Sequence, residues 1–168
     1  MGQDNQTKIL EVFYEHPSKR FTIREISKLA KIPRATAHKV VVGLKKQKLL
    51  DEENRAKDNL LFKTKKINYF IEKIVQSGLI EELVDKLNPS CIILFGSIRK
   101  GESDKKSDID LFAVSFNTKE IDLSKYEKEL GHEIQLFIEK DLKSMKIKNK
   151  HLLSNVINGI KLYGYLDL

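Results

Sequence analysis

The sequence predicts an α+β protein with a helical N-terminal part and a second part in which strands and helices alternate. Apolar residues recur at helical spacing through the first 50 residues, and three short apolar runs in the second half have the length and composition of strands. The excess of basic residues is confined to residues 1–66. We therefore expect two small domains, residues 1–66 and 79–168, joined by a bridging helix over residues 67–78.

The N-terminal part is predicted to contain three helices. Residues 5–15 have apolar residues at helical spacing and end before Pro17. Thr22 followed by Glu25 forms a capping box that begins a second helix, and Pro33 fits the first position of a third. The third helix has one apolar stripe, formed by Ala37, Val40, Val41 and Leu44.

The stretch after the third helix, "LLDEENRAKDNLLFKT", is interpreted as two short strands around a polar turn. Two helices, a tight turn, a third helix and a hairpin follow one another in this order in winged helix-turn-helix domains. Residues 5–66 resemble the winged-helix DNA-binding domains of the MarR and ArsR type. The resemblance implies that the helix beginning at Pro33 binds duplex DNA. Phosphates would be met by Lys39, Lys45 and Lys46, and bases would be approached by Arg34, Thr36 and His38.

The charge distribution fits such a partner. Residues 1–66 contain 16 Lys and Arg against 8 Asp and Glu, whereas the rest of the chain holds 15 against 16. A basic segment is attracted to a polyanion such as nucleic acid, although a lysine-rich solvated surface would have the same composition. Winged helices also serve as packing or dimerisation modules. Dimers are common for this class of domain, and the helix over residues 67–76 is the expected interface of a homodimer.

The composition is that of a cytoplasmic protein. No apolar stretch approaches the roughly 20 residues that a membrane helix needs. Cys91 is the single cysteine, so no internal disulfide can form, and we expect it to be buried as a small apolar residue. A reducing compartment, with no membrane partner, follows from these two features.

The second part is predicted to be a small mixed sheet with helices. Strands are expected over residues 90–95, 108–116 and 132–138, with a final short strand within "GIKLYGY". A helix over "DLSKYEKELG" would have Gly131 at its C-terminal cap. Residues 139–158 are expected to be mostly helical.

Two acids in the second strand are the main indication of function. Residues i and i+2 of a strand face the same way, about 6.6 Å apart, so Asp108 and Asp110 share a face. Like charges repel at such a distance, unless a cation lies between them. Mg²⁺ (or Mn²⁺) is the expected cofactor, because it is held by one or two carboxylates together with substrate phosphates. Gly96 and Ser97 end the preceding strand, where a glycine allows close approach of a phosphate and a serine adds a donor.

These residues resemble the signature of the polymerase-β-like nucleotidyltransferases, and in particular of the minimal nucleotidyltransferases. In that pattern Gly-Ser is followed, after a loop of about ten residues, by Ser-Asp-Ile-Asp-Leu in a strand. The motif is matched by Gly96, Ser97, Gly101 and the run from Ser107 to Leu111, whereas Arg99 stands where Ala is usual and Lys100 stands for Arg. The resemblance implies that Gly96, Ser97, Lys100 and Ser107 hold the nucleotide and that Asp108 and Asp110 are the catalytic metal ligands. The implied reaction transfers a nucleoside monophosphate from NTP to a hydroxyl.

A further position departs from the family pattern. A third aspartate is usual on the next strand, but the aligned residue in "GHEIQLFIE" is Gln135, which is neutral and a poor base. Glu133, two residues earlier, lies on the same face but is displaced by about 6.6 Å. Two functions stay open. The chain is a nucleotidyltransferase acting on a protein or nucleic-acid acceptor, or it is a DNA-binding regulator whose nucleotide-binding domain is weak or inactive.

Overall fold

The computed structural model describes residues 4–141 and 149–166 of the chain. It divides into two compact units. The first comprises the chain up to Lys66 together with Ser103–Lys105, and the second comprises Ile67–Glu102 together with the chain from Lys106 onward. Within the described residues, no helix is both long and apolar enough to span a membrane.

The first unit contains the three predicted helices, α1 (Asn5–Glu15), α2 (Ile23–Leu29) and α3 (Arg34–Lys46). The Thr22 hydroxyl accepts a hydrogen bond from the Glu25 backbone N–H, and the Glu25 carboxylate accepts one from the Thr22 N–H, so the predicted capping box is confirmed. The buried apolar side chains of this unit include Ile9, Phe13, Phe21, Ile26, Val41 and Leu44.

The hairpin predicted after α3 is wrong, because neither of its two strands forms in this described part of the chain. Leu50 and Ala56 make a single antiparallel bridge, and residues 60–64 already belong to α4 (Leu60–Gln76). The Asn59 side chain accepts a hydrogen bond from the Phe62 N–H and so favours the start of a helix there. The predicted bridging helix over residues 67–78 is therefore the C-terminal part of a longer helix.

Lys66 is the reason that the sequence pattern does not predict the first turns of α4. Its side chain is only 1% exposed and lies at a buried helical position between Phe62 and Phe70, where a lysine interrupts the apolar stripe. The Lys66 ammonium donates a hydrogen bond to the Ser103 carbonyl. Burial lowers the pKa of Lys66 from 10.5 to about 8, against the opposing attraction of Glu15 and of a second acid, Asp104.

The second unit is a four-stranded mixed sheet with flanking helices. Its helices are the C-terminal part of α4, α5 (Leu79–Leu87), α6 (Gly96–Lys100), α7 (Ser124–Leu130) and α8 (Lys150–Ile157), and its strands are β1 (Cys91–Phe95), β2 (Ile109–Val114), β3 (Ile134–Glu139) and β4 (Ile160–Gly164). The strand order is β3-β2-β1-β4, with β2 and β3 parallel and the other pairs antiparallel. All four predicted strands and the helix capped by Gly131 are confirmed. The helical prediction for residues 139–158 falls partly on residues 142–148, which lie outside the described residues.

The strand alternation separates two faces of this sheet. Cys91, Ile93 and Phe95 of β1 share a face with Phe112 of β2, and this cluster packs with Val156 of α8. The buried Cys91 thiol agrees with its predicted role as a small apolar residue. Asp110 is on the same face as Phe112, so the apolar cluster gives way to acidic residues at one end of the sheet.

Candidate nucleotidyltransferase site

Antiparallel pairing brings the end of β1 to the start of β2. Phe95, the last residue of β1, is paired with Asp110, and Asp108 lies one residue before β2 begins. Both aspartates are half-buried, whereas Ile109 between them is buried. The predicted alternation is therefore present, and the Asp110 side chain lies beside the Gly-Ser turn that follows β1.

Gly96 approaches Asp110 so closely that no other residue type fits without rearrangement. Its φ angle is +72°, and a methyl group added there would lie 1.9 Å from the Asp110 Oδ2 atom. Ser97 follows in the short helix α6, which ends at Gly101 with φ +70°. Glycine is therefore required at position 96 for two reasons, the left-handed backbone conformation and the close contact with the Asp110 carboxylate.

The surroundings of Asp110 disfavour its charged form. Desolvation by burial raises the pKa of Asp110, and the negative charge of Asp108 raises it further. A divalent cation held by both oxygen donors would remove this cost, so the donor set fits Mg²⁺ or Mn²⁺ with two protein ligands. Among the described residues no cluster of three or more His, Cys, Asp or Glu side chains could hold a metal. A site here would therefore depend on two carboxylates and on phosphate oxygens of the substrate.

Gln135 occupies the neighbouring position on β3. It is paired in parallel register with Asp110, and its Nε2 donates a hydrogen bond of 2.5 Å to Asp108 Oδ2. Glu133 is exposed, and its backbone carbonyl accepts from the Ile109 N–H at 2.8 Å. The side chain nearest to the aspartates on this strand is thus an amide that donates a hydrogen bond and not a third acid.

The remaining predicted nucleotide ligands differ in their surroundings. Lys100 is exposed at the end of α6, and Ser107 is half-buried. The backbone carbonyl of Ser107 accepts a hydrogen bond of 2.6 Å from His132 Nδ1. His132 is only 5% exposed and is therefore a buried residue of the second unit. Nothing in the local sequence indicates its burial, because a single histidine before a strand has no periodic signal.

The predicted DNA-binding residues lie on α3 with unequal exposure. Arg34, His38, Lys39 and Lys46 are exposed, whereas Thr36 and Lys45 are half-buried. The Lys45 ammonium donates to the Glu52 carbonyl at 2.7 Å and lies 3.8 Å from the Glu52 carboxylate. Lys39 and Lys46, seven residues apart, share one face of the helix. The exposed residues of this set therefore include three cationic side chains, whereas Lys45 interacts with Glu52 within the first unit.

Comparison with protein families supports the assignment of the second unit. The family described as "Polymerase beta, Nucleotidyltransferase" matches residues 77–165, more than half of the 168-residue chain. The match includes the Gly-Ser turn, both aspartates and Gln135. Comparison with curated proteins and with solved structures finds no match. The chain belongs to the polymerase beta nucleotidyltransferase family.

Proposed function

We propose that the chain transfers a nucleoside monophosphate from an NTP to a hydroxyl acceptor on a protein or a nucleic acid. The observation that carries this proposal is the contact between Gly96 and Asp110, with Asp108 beside them, because it joins a phosphate-binding turn to two carboxylates. In the reaction the acceptor hydroxyl loses its proton to solvent and its oxygen bonds to the α-phosphorus. The bond from that phosphorus to the oxygen that bridges it to the β-phosphorus breaks, and pyrophosphate leaves.

Each group of the site has a definite task in this proposal. Gly96 allows the triphosphate to approach the backbone, and the Ser97 hydroxyl donates to a phosphate oxygen. Lys100 and Ser107 would bind the nucleotide from the loop side. Asp108 and Asp110 would hold Mg²⁺ or Mn²⁺, which when bound neutralises charge on the phosphate oxygens.

Gln135 supports a second candidate function. The family pattern has an acid that can take the proton of the attacking hydroxyl, whereas an amide cannot. The hydrogen bond from Gln135 to Asp108 is compatible with a site that binds a cation and a nucleotide but does not transfer the nucleotide rapidly. In that case the chain would be a regulator whose second unit senses nucleotide.

A labelling experiment separates these functions. The protein would be incubated with lysate, Mg²⁺ or Mn²⁺, and each NTP labelled at its α-phosphate. Transfer predicts labelled acceptors with the wild type and with the control Asp85→Ala, whose side chain is exposed, and none with the Asp108→Ala/Asp110→Ala double variant. Equal labelling by the double variant would refute the proposed chemistry. Nucleotide binding that depends on both aspartates, without any labelling, would favour the regulator.

We also propose that the first unit binds duplex DNA through α3. The exposed cations Arg34, Lys39 and Lys46 support this, as does the charge excess of residues 1–66. Affinity for pooled genomic fragments should fall steeply with salt, since bound counterions are released. Binding that is independent of salt, or absent, would favour a packing or dimerisation module. The cytoplasmic location and the homodimer stay predictions of the sequence.

A further inference from the structure

The start of β2 is fixed by residues that come just before β3. Asp108 lies outside the strand, so the regular ladder of hydrogen bonds does not hold its preceding peptide. On one side of it the Ser107 carbonyl accepts from His132 Nδ1 at 2.6 Å. On the other side the Ile109 N–H donates to the Glu133 carbonyl at 2.8 Å. The backbone is therefore held immediately before and immediately after the first candidate metal ligand.

His132 is itself held in one orientation. Its ring is 5% exposed and packs edge-on against the buried ring of Phe70, with centroids 5.4 Å apart and planes at 79°. Because a carbonyl oxygen accepts, Nδ1 must carry the proton in this hydrogen bond. A buried ring with a fixed donor restricts the Ser107 peptide more than a mobile surface side chain would.

We propose that His132 is a positioning residue for Asp108, acting through the Ser107 carbonyl. This inference rests on the proposed function, because it assumes that Asp108 binds the cation. The ring touches neither the cation nor the nucleotide in this account. It fixes the peptide between Ser107 and Asp108, and that peptide sets the direction of the Asp108 carboxylate. Loss of a hydrogen bond that orients a metal ligand, without touching the metal itself, typically weakens metal binding by about 10-fold to 100-fold.

Two substitutions test the role of the donor. His132→Leu keeps an apolar body of similar size and removes the donor, whereas His132→Asn keeps an amide N–H near the position of Nδ1. Mn²⁺ binding would be measured by electron paramagnetic resonance, with His151→Leu as the control because His151 is exposed on α8. We expect binding to weaken by at least about 10-fold in His132→Leu and to stay within about threefold in His132→Asn. The control should bind as the wild type does.

Hydrogen exchange of the metal-free protein tests the same role without any ligand. The Ile109 amide should exchange faster in His132→Leu than in His132→Asn, while the Phe112 amide in the middle of β2 stays unchanged. A uniform increase along β2 would mean that His132 only stabilises the fold, and the proposal would be wrong. If His132→Leu does not fold, His132→Gln replaces it, since its amide is one methylene further out. Positioning then predicts weaker Mn²⁺ binding by Gln than by Asn, and equal binding contradicts it.

The failure of this inference is distinguishable from the failure of the proposed function. If Asp108→Asn binds Mn²⁺ as the wild type does, Asp108 is not a ligand and the proposed function is wrong. If Asp108→Asn loses Mn²⁺ but His132→Leu folds and binds normally, the proposed function stands and the positioning role is refuted.

Discussion

Replacing Gly96 by alanine should disable the site with only a modest loss of stability. Gly96 has φ +72°, and a methyl group there would lie 1.9 Å from Asp110 Oδ2. Gly78 is a matched control, because its φ is +77° and a methyl group there would meet nothing within 4 Å. Both substitutions carry the same backbone strain, and only one of them displaces a candidate metal ligand.

The magnitudes follow from these two geometries. An alanine in the left-handed region costs about 1–2 kcal/mol, and this applies to both variants. In Gly96→Ala the contact must lengthen from 1.9 Å to at least 3.0 Å, so the Asp110 carboxylate moves by about 1 Å or turns out of its rotamer. An off-rotamer side chain adds about 0.5–1.5 kcal/mol. A 1 Å displacement of a catalytic group can cost about 100-fold in rate.

Urea unfolding and Mn²⁺ titration measure the two consequences separately. Gly96→Ala should be less stable than Gly78→Ala by about 1 kcal/mol and should bind Mn²⁺ at least about 10-fold more weakly than the wild type. Gly78→Ala should bind Mn²⁺ normally. Unchanged Mn²⁺ affinity in a folded Gly96→Ala protein would refute the reasoning, because it would mean that Asp110 can move freely without affecting the site.

Three further predictions concern other parts of the chain. Gln135→Asp replaces the hydrogen bond to Asp108 by a third negative charge. It should lower the melting temperature of the metal-free protein, because like charges repel, and it should strengthen Mn²⁺ binding. Unchanged Mn²⁺ binding would contradict this prediction. In the unfolded chain Lys66 keeps its proton up to about pH 10.5, but in the folded protein only to about pH 8, so the free energy of unfolding should rise with pH across this window. The full shift corresponds to roughly 3 kcal/mol, and urea unfolding of Lys66→Met should lack this rise. Lys39→Ala should lower the slope of log affinity for DNA against log salt by about 0.9. The control Lys128→Ala, at an exposed position of α7 in the second unit, should leave this slope unchanged.

The sequence predicts structure well where side chains recur at the regular spacing of a strand or a helix. The separation of Asp108 from Asp110 by one residue predicts a shared face in any strand, and the structure confirms that Ile109 is buried between them. The turn at Gly96 is marked by the end of an apolar run. That β1 and β2 are antiparallel neighbours is a long-range property. This strand pairing brings Gly96 into contact with Asp110, and no local sequence pattern encodes the pairing.

The errors arise where burial contradicts residue type. Lys66 is charged, so the apolar stripe of α4 seemed to begin after it, and the first turns of that helix were assigned to a strand. His132 has a polar ring that a sequence does not assign to the interior, and its partner carbonyl is 25 residues away. Both side chains have a hydrogen-bond acceptor in the folded chain that compensates for their burial, and only the tertiary structure supplies it.

The most direct measurement is a titration of Mn²⁺ against the protein with and without an NTP analogue that has a methylene bridge between its α- and β-phosphates. The account predicts that the wild type and Asp85→Ala bind Mn²⁺ and that the analogue strengthens this binding. The Asp108→Ala/Asp110→Ala variant should lose both effects. Equal Mn²⁺ and analogue binding by the wild type and the double variant would contradict the central claim that these two carboxylates and the Gly-Ser turn form a nucleotide site.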